Sequence, residues 1–331
     1  MISASAPAKL ILSGEHAVVY GAPALAAAVS PRAQVRVSEL PKPEVVLLLD
    51  GIEQRLSILD CLDMQADLDD AHEAFLDGEL EIQDVLESGR QLFFYLAAQW
   101  LQPDSRQGVK IELDSAIPIG AGLGSSAATI AAVASALAQF YGEPMDASQL
   151  IALTRFVERL QHGRGSAIDA TTVVQGGVLY LHQDQVETLA PLQGPWWLVH
   201  SGQPQCSTGE CVSQVRQQFA DSSLWQTFSQ VTQGLRQALL EHDQAGIISA
   251  ISANQRLLEQ IGVVPAPVQQ FIRQLEAKGG AAKVCGAGAI RGDQAGAVLV
   301  YGVDPSDLAL AAGYRCTALQ GEQDGAHVAA G

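Results

Sequence analysis

Pro118-Ile119-Gly120-Ala121-Gly122-Leu123-Gly124-Ser125-Ser126-Ala127 runs straight into an alanine-rich segment that ends near Tyr141. Three alternate glycines let the backbone approach a bulky group and turn its N–H groups inward. The helix that follows contributes unsatisfied N–H donors and the positive end of its dipole, a combination that suits a phosphate. Ser125 and Ser126 stand at the helix start, where a hydroxyl can cap the helix or reach a phosphate-bound cation. The spacing is neither the G-x-x-x-x-G-K-[ST] of a P-loop nor the G-x-G-x-x-G of a dinucleotide fold. Close packing of a small-residue helix would call for the same glycines, so the loop by itself leaves two readings.

The composition around the loop narrows the choice. The 331 residues are 48% hydrophobic and 17% charged, enough for a sizeable core and for two ordinary domains. Nineteen Lys and Arg stand against thirty-six Asp and Glu, a formal charge of −17. Such a surface repels phosphodiester backbones and anionic lipid, which argues against nucleic acid or a membrane surface as partner. No apolar run reaches the ~18–20 residues of a membrane span. Residues 1–9 lack a charged leader followed by an apolar stretch, so no secretion signal is expected. Cys61, Cys206, Cys211, Cys285 and Cys316 include no CxxC pair. That pattern points away from a disulfide framework or a structural zinc site, and towards a reducing cytoplasm.

Outward from the loop, patterning predicts a strand over 109–113 before it and a helix over 127–141 after it. A second helix over 147–161 would be capped by Asp146, with Leu150, Leu153, Val157 and Leu160 as its apolar stripe. Towards the amino terminus, strand, turn and helix are expected at 10–12, 13–16 and 22–29, the last opened by Pro23. Strands follow at 33–37 and 45–49. Residues 60–87 hold eleven acidic side chains and no Lys or Arg; they read as solvated helical faces. Beyond the second helix, strands are expected at 173–181, 196–200, 281–285 and 297–302, and helices at 223–241, 245–261 and 266–277. The mixture is α+β rather than a repeat array or a regular βαβ alternation. A boundary near 183–195 would divide it into residues 1–185 and 186–331.

Three stretches, in order, carry a family resemblance. Ala6-Pro7-Ala8-Lys9 through Gly14-Glu15-His16-Ala17-Val18-Val19-Tyr20-Gly21, the glycine loop, and Lys283-Val284-Cys285-Gly286-Ala287-Gly288 resemble the motifs of the GHMP kinases. That superfamily is named for galactokinase, homoserine kinase, mevalonate kinase and phosphomevalonate kinase. The resemblance covers residues 6 to about 300. Glu15-His16-Ala17-Val18-Val19 is most similar to the mevalonate kinase branch. A fourth stretch, Glu158 to Asp169, resembles that branch's E-x-x-x-H-G-x-x-S-G-[IV]-D pattern. It departs at Ala167, where glycine is usual, and at Arg164-Gly165, which replace a polar-proline pair.

The resemblance implies a two-domain fold, an amino-terminal part like ribosomal protein S5 domain 2 and a ferredoxin-like carboxy-terminal part, with the site between them. It also implies an ATP-dependent kinase acting on the primary hydroxyl of mevalonate in isoprenoid biosynthesis. Pro118, Gly120, Ala121, Gly122, Leu123, Gly124, Ser125, Ser126 and Ala127 would cradle the ATP phosphates, and Ser126 with Glu158 would hold Mg²⁺. Magnesium independently favours a few oxygen ligands completed by phosphate and water. Asp169 would take the hydroxyl proton; Lys9 would steady Asp169 and balance the charge on the phosphoryl group. Glu15 and His16 would face the acceptor, order Lys9 or cap the turn. Gly286 and Ala287 would approach the acceptor, as would Ser207 to Glu210. His162 reads as a helix-end residue, not a ligand.

In the third motif Arg291 and Asp293 depart from the family pattern. They would pair with each other, or Arg291 would contact phosphate or an unusual acceptor. Another superfamily kinase, acting on phosphomevalonate, a sugar or homoserine, and a non-catalytic nucleotide-binding relative are the alternatives. A cytoplasmic protein follows from either reading, and a homodimer is compatible with both.

Overall fold

The computed structural model describes residues 1–118, 122–163, 167–183 and 185–329. β1 (Ile2–Ser13) and β2 (Ala24–Leu40) pair antiparallel along almost their whole length, with register shifts at Pro7/Ala8 and Ile11/Ser13. β3 (Glu44–Leu49) and β4 (Ile52–Ser57) form a hairpin. After α1 (Ile58–Leu76) and α2 (Gln91–Ala98), β5 (Gly108–Ser115) inserts between β2 and β3, giving the order β1-β2-β5-β3-β4.

α3 (Ser125–Phe140) packs across β1 and β2, and every residue from Ala127 to Ala138 is buried. Small side chains allow this close approach, since forcing extra methylenes into a packed core costs roughly 1–3 kcal/mol. α4 (Ala147–His162) begins on a capping box: the Asp146 side chain accepts from the Gln149 N–H while Gln149 reaches back to Asp146. α5 (Ala167–Gln175) turns through Gly176-Gly177 into β6 (Val178–His182), which pairs with residues 24–27 of β2 and with β7 (Gln185–Leu189).

The second sheet is wholly antiparallel. β8 (Trp196–His200) is followed by α6 (Thr208–Phe219), α7 (Leu224–Leu240), α8 (Gln244–Gln260) and α9 (Ala266–Ala277). β9 (Ala281–Val284), β10 (Ala297–Tyr301), α10 (Ser306–Ala311) and β11 (Arg315–Leu319) complete the order β11-β8-β10-β9. β12 (His327–Val328) then returns to the first sheet, with Val328 opposite Ala4. The architecture is α+β, as expected. Among the described residues, no helix is long and apolar enough to cross a membrane.

Two expected elements are different. Residues 22–29 are not a helix; residues 24–29 open β2 and are almost entirely inaccessible. Alanine's helix preference is worth only tenths of a kcal/mol per residue, while this stretch hydrogen-bonds to β1 on one edge and β6 on the other. Residues 173–175 are the end of α5, not the start of a strand. The β-branched run there is held in the helix by burial of residues 170–174, with the Thr172 hydroxyl donating to the Ile168 carbonyl (2.7 Å), and the strand starts only after the two glycines. The acidic block is helical over α1 and again over 82–84, with turns at 77–80 between them, and α1 lies against α4. His72 Nε2 lies 3.3 Å from the Gly163 carbonyl, and Phe75 packs over Gly163.

Candidate active site

Lys9 enters the site from β1. Its backbone N–H donates to the Leu123 carbonyl (2.9 Å), and its stem crosses Gly124, which has φ of 63°. A Cβ on Gly124 would lie 2.6 Å from Lys9 Cγ, so this glycine is needed both for its left-handed backbone and for the lysine lying over it. Lys9 Nζ reaches Asp169 Oδ1 at 2.9 Å, with side chains 7% and 21% exposed. Asp169 occupies the first turn of α5, where the helix dipole favours a carboxylate.

Glu158, on the buried face of α4, is 2% exposed, and its Oε2 has no hydrogen-bond partner among the described residues. Burial pushes its carboxyl up to about 8; the negative charge of Asp169 adds to this and Lys9 opposes it. Ser126 Oγ donates to Gln161 Oε1 (2.9 Å), joining the start of α3 to the turn of α4 just beyond Glu158. Neither serine caps α3: the N-cap is Gly124, with no side-chain bond. Leu123 and Ala127 are buried in the core, while Pro118 and Gly122 are exposed. Gly120 and Ala121, together with Arg164, Gly165 and Ser166 of the fourth motif, lie outside the described residues. His162 ends α4 on the surface.

A buried carboxylate oxygen without a partner is costly as an anion. A hydroxyl and a carboxylate, completed by phosphate and water oxygens, are a donor set that magnesium favours. The residues present therefore fit a divalent cation. The raised carboxyl also has a consequence for the free protein. Its proton is held more tightly in the folded chain than in the unfolded one, so stability falls as pH rises from the ordinary value of 4.5 towards about 8, then levels off. In chelator, without nucleotide, Glu158→Gln is expected to be more stable than the parent at pH 9, by a few kcal/mol. The gap should close towards pH 4. Thermal unfolding across that range checks it, and a pH-independent difference would contradict the assignment.

On the other side of the site, β1 runs into Gly14-Glu15-His16. His16 has a positive φ of 57°, uncommon for a non-glycine residue. Its Nε2–H donates to the Ala287 carbonyl (3.0 Å), and burial holds the imidazole below its ordinary value. Glu15 forms an ion pair with Lys283 of β9; their side chains are 1% and 0% exposed. Asn254 of α8 donates to Ser13 Oγ (3.4 Å) and Glu15 Oε2 (3.5 Å), and Ser13 Oγ bonds Thr232 Oγ1 of α7 (2.7 Å). The first and third motifs are thus fastened together by a buried polar network.

Sequence reasoning missed Lys283, Asn254 and Thr232 as members of this network. Only Lys283 had a readable signal: a lysine inside the otherwise apolar run 281–285, which could be satisfied only by a buried anion. Arg291 pairs with Glu210 (2.7 Å), not with Asp293. Ser207 to Glu210 form the capping box of α6, with the Ser207 hydroxyl accepting from the Glu210 N–H and the Glu210 carboxylate from the Ser207 N–H. A carboxylate held by a lysine, a second, buried carboxylate and a helix amino terminus suit phosphoryl transfer to a hydroxyl.

Comparison with known proteins agrees with this chemistry. Residues 91–177 match the GHMP kinases N terminal domain. The mevalonate kinase of Archaeoglobus fulgidus is 31% identical over 294 residues, covering 86% of this chain and 88% of that protein. The mevalonate kinase of Pyrococcus horikoshii is 28% identical over 302 residues, covering 87% and 86%. Among solved structures, a mevalonate kinase superposes with a TM-score of 0.79 at 20% identity, covering 98% of this chain and all of that one.

Proposed function

The chain belongs to the GHMP kinases, and from that premise we propose that it transfers the γ-phosphoryl group of ATP to the primary hydroxyl of mevalonate, giving 5-phosphomevalonate and ADP. The observation that carries phosphoryl transfer is the ion pair of buried Lys9 with partly exposed Asp169, beside the buried Glu158, whose Oε2 has no partner among the described residues. The choice of mevalonate rests on the relatives, whose likeness extends over most of both chains.

Asp169 is the group that accepts the hydroxyl proton. Lys9 orients that carboxylate through their ion pair, and offers positive charge to the transferring group. The N–H groups at the start of α3 receive phosphate oxygens. Ser126 and Glu158 would hold Mg²⁺, which neutralises phosphate charge when bound. His16 and Glu15 border the acceptor, and the Gly286-Ala287 turn closes its far side. In this reading residues 1–185 carry the nucleotide loop and the base, residues 186–331 carry the third motif, and the enzyme works in the cytoplasm.

ADP release, measured over mevalonate, phosphomevalonate, a sugar and homoserine, tests the assignment. Turnover is expected with mevalonate. Turnover with another of these alcohols and not with mevalonate would move the chain to a different branch, and tight ATP binding with no turnover of any would make it a binding protein.

A further inference from the structure

We propose that Cys206 and Cys211 form a redox-active dithiol that closes to a disulfide by exchange with a low-molecular-weight disulfide, and that closure loosens the third-motif turn. The two Sγ atoms lie 3.4 Å apart, and neither cysteine is bonded to another. They flank the N-cap Ser207, at the positions before the cap and four residues into α6, where a helix entry normally carries an apolar contact. Two thiols at these positions make the same packing contact and add chemistry that carbon would not.

Both sulfurs also hold the turn that follows β9. The Ile290 N–H donates to Cys206 Sγ (3.4 Å), and the Cys211 thiol donates to the Gly288 carbonyl (3.7 Å). The same turn receives His16 through the Ala287 carbonyl (3.0 Å), so the carbonyl that Cys211 bonds and the one that His16 bonds are neighbours in the chain. Arg291 strengthens the attachment by donating to the Gln205 carbonyl (3.2 Å) and pairing with Glu210. Cys61 is hydrogen-bonded to the Phe94 carbonyl in the core and Cys285 is buried, so of the other cysteines only the partly accessible Cys316, on β11, meets an oxidant from solvent, and peptide mapping separates its adduct from the 206–211 peptide.

The order of events follows from exposure. Cys206 is partly accessible, whereas Cys211 is buried and its thiol is pushed up to about 12, mainly by burial. The Cys206 thiolate attacks the small disulfide RSSR, forming a Cys206–S–S–R bond and releasing RS⁻. Cys211 then attacks Cys206 Sγ, its proton passing to solvent, and a second RS⁻ leaves. Two protein thiols are oxidised, one RSSR is reduced to two RSH, and no other oxidant is required. The new bond takes the Cys211 proton away from the Gly288 carbonyl and draws Cys206 Sγ off the Ile290 N–H.

The probe is oxidised glutathione, applied to the full chain, with intact mass, peptide mapping and hydrogen exchange as readouts. The wild type is expected to lose two hydrogens and give a linked 206–211 peptide; Cys211→Ser should keep a stable glutathione adduct on Cys206, and Cys206→Ser should give neither. Exchange at residues 286–291 should quicken in the oxidised wild type and recover on addition of dithiothreitol. A glutathione adduct that persists on Cys206 in the wild type, or no reaction at Cys206, overturns the proposal. So does a disulfide that leaves exchange at 286–291 unchanged. A kinetic arm rests on the mevalonate reading: the oxidised form should show a several-fold higher KM for mevalonate, with the KM for ATP unchanged. If the reduced protein does not turn mevalonate over, that reading fails while the mass and exchange results still decide the disulfide.

Discussion

Asp169→Asn is expected to lower kcat by about 10²- to 10⁴-fold, the usual cost of losing a positioned general base. The substitution keeps an oxygen for Lys9 to donate to at the position now 2.9 Å from Nζ, so the fold and the stem of Lys9 over Gly124 should stay in place. An amide cannot take up the hydroxyl proton. The loss should therefore fall on the chemical step, with ATP affinity nearly unchanged. Single-turnover measurement with saturating nucleotide separates the two. Retention of more than a tenth of the parent rate would falsify the proton-accepting role and leave Lys9–Asp169 as a structural pair.

The second large effect concerns stability. Lys283→Met should destabilise the fold by about 3–5 kcal/mol, because it strands Glu15 as a buried charge. The ion pair is almost fully removed from solvent, and its Asn254 contact is too long to replace a cation. Glu15→Gln combined with Lys283→Met should recover much of the loss, since both charges are then gone together. Denaturant unfolding of the two single variants and the double variant measures this. Additive losses would mean that the pair is not coupled and that each side chain is held by other neighbours.

How much of this could be read in advance depended on how local the determinant was. α9 has the expected bounds, and α4 differs from expectation by one residue at its end, because an apolar stripe, with a proline opening α9 and an Asp146 cap opening α4, is written within a few turns of chain. The alanines of 22–29 and the Thr-Val run of 171–174 carry weak preferences, and neighbours distant in sequence outweighed them. The same holds for charges. Arg291 and Asp293 are close in sequence, yet Arg291 is drawn to Glu210, eighty-one residues away, because the α6 cap presents that carboxylate to it.

The sequence by itself determined the chemical inventory: a glycine loop entering a small-residue helix, a lysine before the first turn, carboxylates near the ends of particular helices, and the order of the motifs. Hydrogen-bond donors, charge and glycine freedom are properties of residue types and short spacings, so they are visible without a fold. Tertiary structure alone decided which of these groups meet. Lys9 reaches Asp169 only because α5 packs against β1, and Glu15 reaches Lys283 across 268 residues of chain because the two sheets bring β1 and β9 together. It also decided how readily Glu158 gives up its proton. Glu158 is an ordinary glutamate in sequence; its raised carboxyl comes from removing water and setting Asp169 nearby, and both depend on distances that exist only once the chain has folded.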